Sequence, residues 1–194
     1  MNGNILANRS AADRNKTDFY PTPPDVTEAL INFLESKRLL LAGDAILEPA
    51  CGTGEMAEVM KKRRYAVYCS DLYPTTYPGC GPSRDFYSID NTDCDWIITN
   101  PPFSEAEKFI RHALTLGKPC AFLLKSQFWH AARRLPLYQQ YPPHYVLPLT
   151  WRPDFLWGAK SSSPTMEVLW TVWHPGWLKN YTEYIPLERP VIKP

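Results

Sequence analysis

Between Val26 and Leu34 the apolar residues Val26, Ala29, Leu30, Phe33 and Leu34 recur at i, i+3, i+4, i+7 and i+8. That spacing predicts one buried face of a helix. Thr22 followed by Pro23 predicts its N-cap, with proline in the first turn. The period changes after Asp44. "AIL" (45–47) and "AVYCS" (66–70) are short apolar runs of the kind that become buried parallel strands, with a crossover helix between them. A second cycle runs through the strand in "DWIITNPPF", the helix "SEAEKFIRHALTLG" and the strand "CAFLLK". Ala106, Phe109, Ile110 and Ala113 form that helix's apolar stripe, and Ser104 with Glu107 predicts an S-x-x-E capping box. A helix through "HAARRLPLYQQ" must be kinked or ended by Pro136. "HYVLPL" and "TMEVLWTVW" predict further strands. Alternating strand and helix points to a parallel sheet with helices on both faces.

The flanks lack such periodicity. The polar, asparagine-rich residues 1–16 read as a flexible arm, residues 17–175 as one domain, and the proline-rich residues 176–194 as an irregular tail. At 194 residues, with 44% hydrophobic and 21% charged residues, the chain suits one globular domain. No apolar run approaches the roughly 20 residues of a membrane helix, and the first residues lack a signal-peptide core. A cytoplasmic protein is expected. Cys51, Cys69, Cys80, Cys94 and Cys120 are scattered, which favours reduced, buried thiols over a disulfide framework or a zinc site. A net charge of +1 leaves the partner open. "KKRR" (Lys61–Arg64) and Arg133–Arg134 fit phosphate contacts or solvated helix faces.

Chemistry concentrates at two strand ends. In "LEPACGTGE" the glycines Gly52 and Gly54 let a ligand approach the backbone between strand and helix. Glu48, ending the strand, suits a ligand bearing an amine. Asp71, ending the next strand, suits ribose hydroxyls. S-adenosylmethionine carries both groups. The alternative for both acids is a turn or cap role.

The second strand end is "TNPPF" (Thr99–Phe103). An exocyclic amine on a base is a poor nucleophile because its lone pair is delocalised into the ring. Two acceptors on its hydrogens draw the nitrogen towards tetrahedral geometry and free that pair. Asn100 offers a side-chain carbonyl, and Pro101 a backbone carbonyl without an N–H. Pro101 and Pro102 together remove two donors and stiffen the turn. Asn100 is expected to be extended, because a proline follows it. Phe103 can stack on a planar base. Positioning is then the protein's main contribution, with no metal required.

Six of the seven tryptophans lie from Trp129 onward. Trp170 and Trp173, inside a strand, read as core. Trp151, Arg152, Phe155, Trp157 and Lys160, in the loop-like stretch 150–164, fit either core or a surface that contacts nucleic acid and stacks on its bases.

The order "DFYPTP", "LEPACGTG", "TNPPF" resembles the amino-methyltransferases that modify exocyclic amines of DNA bases, and is similar to the small adenine-specific enzymes of bacteriophages and prophages. The resemblance implies a Rossmann-like class I methyltransferase domain with a seven-stranded, mostly parallel sheet. It implies S-adenosylmethionine as cofactor, DNA as partner and the N6 amine of adenine as target, reached by base flipping. Carried over, Tyr20, Thr22 and Pro23 help hold the methionine end of the cofactor, and Glu48, Ala50, Cys51, Gly52 and Gly54 form its loop. "SRDFYSID" resembles the family's Asp-Phe pair, placing Asp85 on the cofactor's adenine amine and Phe86 against its ring. Asn100, Pro101, Pro102 and Phe103 grip the target. Related enzymes methylate ribosomal RNA bases or a protein glutamine, and a non-catalytic DNA-binding or host-blocking module is a further alternative. Against larger members of that family, a separate target-recognition domain is not expected within these 194 residues, which leaves the segment 150–164 for target contacts.

Overall fold

A computed structural model describes residues 20–155, 166–176 and 181–191. The expected N-terminal arm and the stretch containing Trp157 and Lys160 lie outside these residues.

The first helix, α1 (Pro24–Ser36), buries Val26, Ala29, Leu30, Phe33 and Leu34, the face read from the sequence. Its cap differs from the expectation. Pro23 is the N-cap and Pro24 opens the helix, with no side-chain cap bond. Thr22 is thereby released to act elsewhere. The chain continues through β1 (Ala45–Glu48), α2 (Glu55–Lys62) and β2 (Ala66–Cys69). Then come β3 (Trp96–Thr99), α3 (Ala106–Thr115) and β4 (Cys120–Lys125). α3 starts one residue later than the expected capping box places it. Glu105 is the N-cap without a side-chain bond, and Glu107 instead accepts two hydrogen bonds from Arg111, one turn on. Pro136 neither kinks nor ends a helix. It sits in the first turn of α4 (Leu135–Gln140), where its missing N–H is not needed.

β5 (Tyr145–Pro148), β6 (Val168–Trp173) and β7 (Glu183–Tyr184) complete a seven-stranded sheet of order β2-β1-β3-β4-β6-β5-β7. Four of its six pairings are parallel, and β6 runs antiparallel to both neighbours. The tail is therefore not irregular throughout. β7 pairs with β5, Leu187 bridges Leu149 and is buried, and Arg189 forms an ion pair of 2.8 Å with the buried Asp25 of α1.

Side chains alternate across the central strands, as the pleat requires. Ile46, Trp96, Ile98, Ala121 and Leu123 face α1 and α2 on one side. Leu47, Ile97, Cys120, Phe122 and Leu124 face α3 and Leu137 of α4 on the other. Both faces are covered, which is why these strands read as continuous apolar runs. Trp170 and Trp173 are buried core residues, as expected. The chain passes from β1 outward to β2 and returns to place β3 on β1's other side. The order thus reverses between β1 and β3, and their carboxyl ends, at Glu48 and Thr99, open onto the crevice where ligands bind in such sheets.

Candidate functional site

At the end of β3 the side chain of Asn100 is fixed from one side only. Its Nδ2 donates to the Thr22 Oγ1 at 3.0 Å and to the Tyr20 carbonyl at 3.1 Å. With both amide hydrogens engaged, the orientation of the group is set. Its Oδ1 is buried and has no hydrogen-bond partner. It is one of ten such buried side-chain atoms among the described residues, and a donor brought by a ligand would satisfy it. Pro101 is buried, and the Pro102 carbonyl accepts from Glu105 N at 2.9 Å to turn the chain into α3.

Phe103 is half-buried. Its ring lies 5.5 Å from that of Tyr20 at 37°, and the Lys125 ammonium stands 4.2 Å from its centroid. Tyr20 meets the buried Phe155 edge-on at 6.2 Å. Phe155 is thus used inward, as core. Lys125 was not singled out from the sequence; its signal was a lone cation ending an apolar strand beside the one that leads into Asn100. Trp151 is half-buried against the core with its indole N–H unpartnered, and Arg152 pairs with Glu167 at 2.7 Å. With Ser126, Thr150 and Val168 these residues border an open cavity of about 460 Å³.

At the end of β1, Glu48 is buried and its Oε2 has no partner. Burial, first, and the neighbouring Cys69, Glu55 and Asp71 push its carboxyl well above the ordinary range. Such a group is poised to meet a cation, which would supply the missing donor and favour the ionised form. Ala50 is half-buried. The loop beyond it is held by Cys51 N to Ser70 O at 3.0 Å and Gly54 N to Cys51 O at 2.8 Å. Gly52 and Gly54 adopt φ of 53° and 88°, which explains glycine at both positions.

The close approach at Gly54 is made by a side chain. A Cβ there would lie 2.4 Å from the Tyr77 ring, whose hydroxyl donates to Glu58 and accepts from Lys61. Thr75 also hydrogen-bonds the Gly52 carbonyl, so the segment after β2 covers the glycine-rich loop. Tyr77 was missed because nothing local in the sequence links it to Gly54. Asp71 accepts from Gly52 N at 2.9 Å and from Tyr73 N at 3.0 Å, joining the ends of β1 and β2. Asp85 is exposed and caps a short 3-10 turn through Tyr87 N, whereas Phe86 is buried on Phe109 at 5.0 Å. In this arrangement Phe86 belongs to the core, not to an open ligand wall.

Three of the six cations in the basic clusters, Lys61, Arg63 and Arg134, are engaged within the chain. Arg63 pairs with Glu28 and Glu35, and Arg134 caps the Phe128 carbonyl and stacks on its ring at 3.9 Å. Among the described residues no helix is long and apolar enough to cross a membrane.

No family model matches the chain, and no curated protein matches it. Solved structures do. A methyltransferase subunit of a type I restriction-modification system from Streptococcus thermophilus superposes with a TM-score of 0.64 at 13% identity, covering 86% of this chain and 47% of that one. A proposed RNA methyltransferase from Pyrococcus horikoshii gives 0.62 at 14% identity over 81% and 88%. A proposed class I S-adenosylmethionine-dependent methyltransferase from Listeria monocytogenes gives 0.58 at 15% identity over 86% and 65%. The chain thus spans about half to two thirds of the length of the first and third. The fold is that of class I methyltransferases.

Proposed function

We propose that the protein methylates the exocyclic N6 amine of adenine in DNA, with S-adenosylmethionine as methyl donor. The observation that carries this reading is the amide of Asn100 at the end of β3, held through its Nδ2 by Thr22 and Tyr20 with its Oδ1 buried and unpartnered.

The buried carboxyl of Glu48, with its unpartnered Oε2, fits a cofactor with an ammonium group, and Gly52, Gly54 and Asp71 follow it at the ends of β1 and β2. S-adenosylmethionine supplies an electrophilic sulfonium methyl. The protein's own residues ready the acceptor. Asn100 Oδ1 takes one hydrogen of the target amine and the Pro101 carbonyl takes the other, drawing the nitrogen's lone pair out of conjugation. Phe103 stacks on the base while Lys125 and Tyr20 back its ring. The Phe103–Lys125 contact places a positive charge near the substrate, which suits a polyanion. Tyr20 and Thr22 act by fixing Asn100, and with Pro23 they border the cofactor's methionine end in this reading.

The sequence order "DFYPTP", "LEPACGTG", "TNPPF" and the restriction-modification neighbour support DNA as substrate. An RNA base or a glutamine amide presents the same planar amine, and the Pyrococcus neighbour keeps RNA as the second reading. Incubation with labelled S-adenosylmethionine and DNA, ribosomal RNA or cell extract separates them. Label is expected in DNA; label confined to RNA or protein overturns the assignment.

A further inference from the structure

Three of the five cysteines converge beneath the glycine-rich loop. Cys51, in the loop, lies with its Sγ 3.4 Å from that of Cys80, and both pack with Cys69, Ala57 and Tyr77. Cys80 forms a single parallel bridge with Cys69, and Gly81 N donates to the Cys69 carbonyl at 2.9 Å. The three residues are far apart in sequence but are brought together by the end of β2. All are free thiols, and among the described residues no group of three such side chains is arranged to hold a metal ion. Cys51 and Cys69 are buried, while Cys80 is half-exposed and so open to a small solute.

We infer that Cys51 and Cys80 form an oxidisable dithiol, a reversible modification site whose reagent is a small peroxide. The sulfurs must close from 3.4 Å to a bond of about 2 Å. The Cys80 thiolate attacks one peroxide oxygen, breaking the O–O bond, and one water leaves after protonation. The Cys51 sulfur then displaces the second oxygen from the Cys80 sulfenic acid, forming the S–S bond and releasing a second water. Two thiols are oxidised and one peroxide is reduced.

The bond would tie the segment that carries Thr75 and Tyr77 to the loop that carries Gly52 and Gly54, with the Tyr77 ring locked against Gly54. Loss of cofactor affinity on oxidation rests on the reading of that loop given above; the dithiol itself does not. The test treats the full chain with hydrogen peroxide, digests it without reductant and identifies linked peptides by mass spectrometry, with calorimetric titration of S-adenosylmethionine in parallel. The expected result is a Cys51–Cys80 peptide that dithiothreitol removes, and affinity that falls at least tenfold and returns on reduction. Cys80→Ser should bind the cofactor as the reduced protein does and resist peroxide. A Cys51–Cys69 linkage, or no linkage while thiols pass to sulfinic acid, overturns the dithiol. Unchanged affinity in the linked protein overturns its regulatory consequence. Failure of the reduced protein to bind the cofactor counts against the proposed function alone, since the linked peptide is read independently, and is read on the native sequence even where Cys80→Ser fails to fold.

Discussion

The hydroxyl of Thr22 accepts a 3.0 Å hydrogen bond from the amide of Asn100, joining residues 78 positions apart in the chain. The contact couples the segment before α1 to the end of β3 and fixes the orientation of the amide. Removing it should therefore affect chemistry more than binding. Thr22→Val removes one acceptor, worth about 1–1.5 kcal/mol, so transfer should slow roughly five- to tenfold. Cofactor affinity by calorimetry should stay within about twofold if the contact acts through Asn100. Thr22→Ser should retain most of the rate.

Glu48 predicts a pH dependence with a definite sign. Its carboxyl is raised by burial, so it keeps its proton above the ordinary carboxylate range. A bound ammonium favours the carboxylate, so binding releases a proton and cofactor affinity should rise with pH through the raised pKa. Titrations in buffers of different ionisation enthalpy measure that proton directly. Folding has the opposite sign. Above the ordinary glutamate range the unfolded chain loses the proton first, so this residue's contribution to stability falls as pH rises. Glu48→Gln removes that cost. It should raise the melting temperature at neutral pH, by about 2–4 °C for each kcal/mol recovered, while weakening cofactor binding. A variant that melts lower and binds normally would contradict both.

The C-terminal segment should behave as part of the domain. Leu187 is buried in the main core, and its N–H donates to the Pro148 carbonyl at 2.8 Å. Leu187→Ala should cost about 2–5 kcal/mol, read as a shift of the denaturation midpoint at unchanged m-value. Arg189→Ala leaves Asp25 buried without its ion-pair partner and should cost about 1–3 kcal/mol. A midpoint unmoved by either change would place this segment outside the cooperative unit.

What was legible in the sequence followed from period. β4 was read as Cys120–Lys125 because both faces of a central parallel strand are buried, and the α1 stripe was read because one helical face is. The caps were misread by position: Pro23 is the N-cap of α1 while Thr22 is taken by the distant Asn100, and Glu105 is the N-cap of α3 while Glu107 pairs with Arg111 one turn on. β7 was missed because its two residues carry no pattern; it exists through pairing with β5. The two loops of the proposed site were visible as motifs, and the pairing of β1 with β3 puts both at the carboxyl ends of neighbouring parallel strands. Tyr77 on Gly54 and Lys125 on Phe103 were not visible, since both depend on how distant segments cross the sheet's end.

The account turns on Asn100 as the group that holds the target amine. The most direct measurement compares Asn100→Ala with the unaltered protein for transfer of labelled methyl to DNA and for calorimetric affinity towards S-adenosylmethionine. Transfer should be abolished while affinity is largely retained. Equal loss of binding and transfer, or transfer that survives the substitution, would contradict the account.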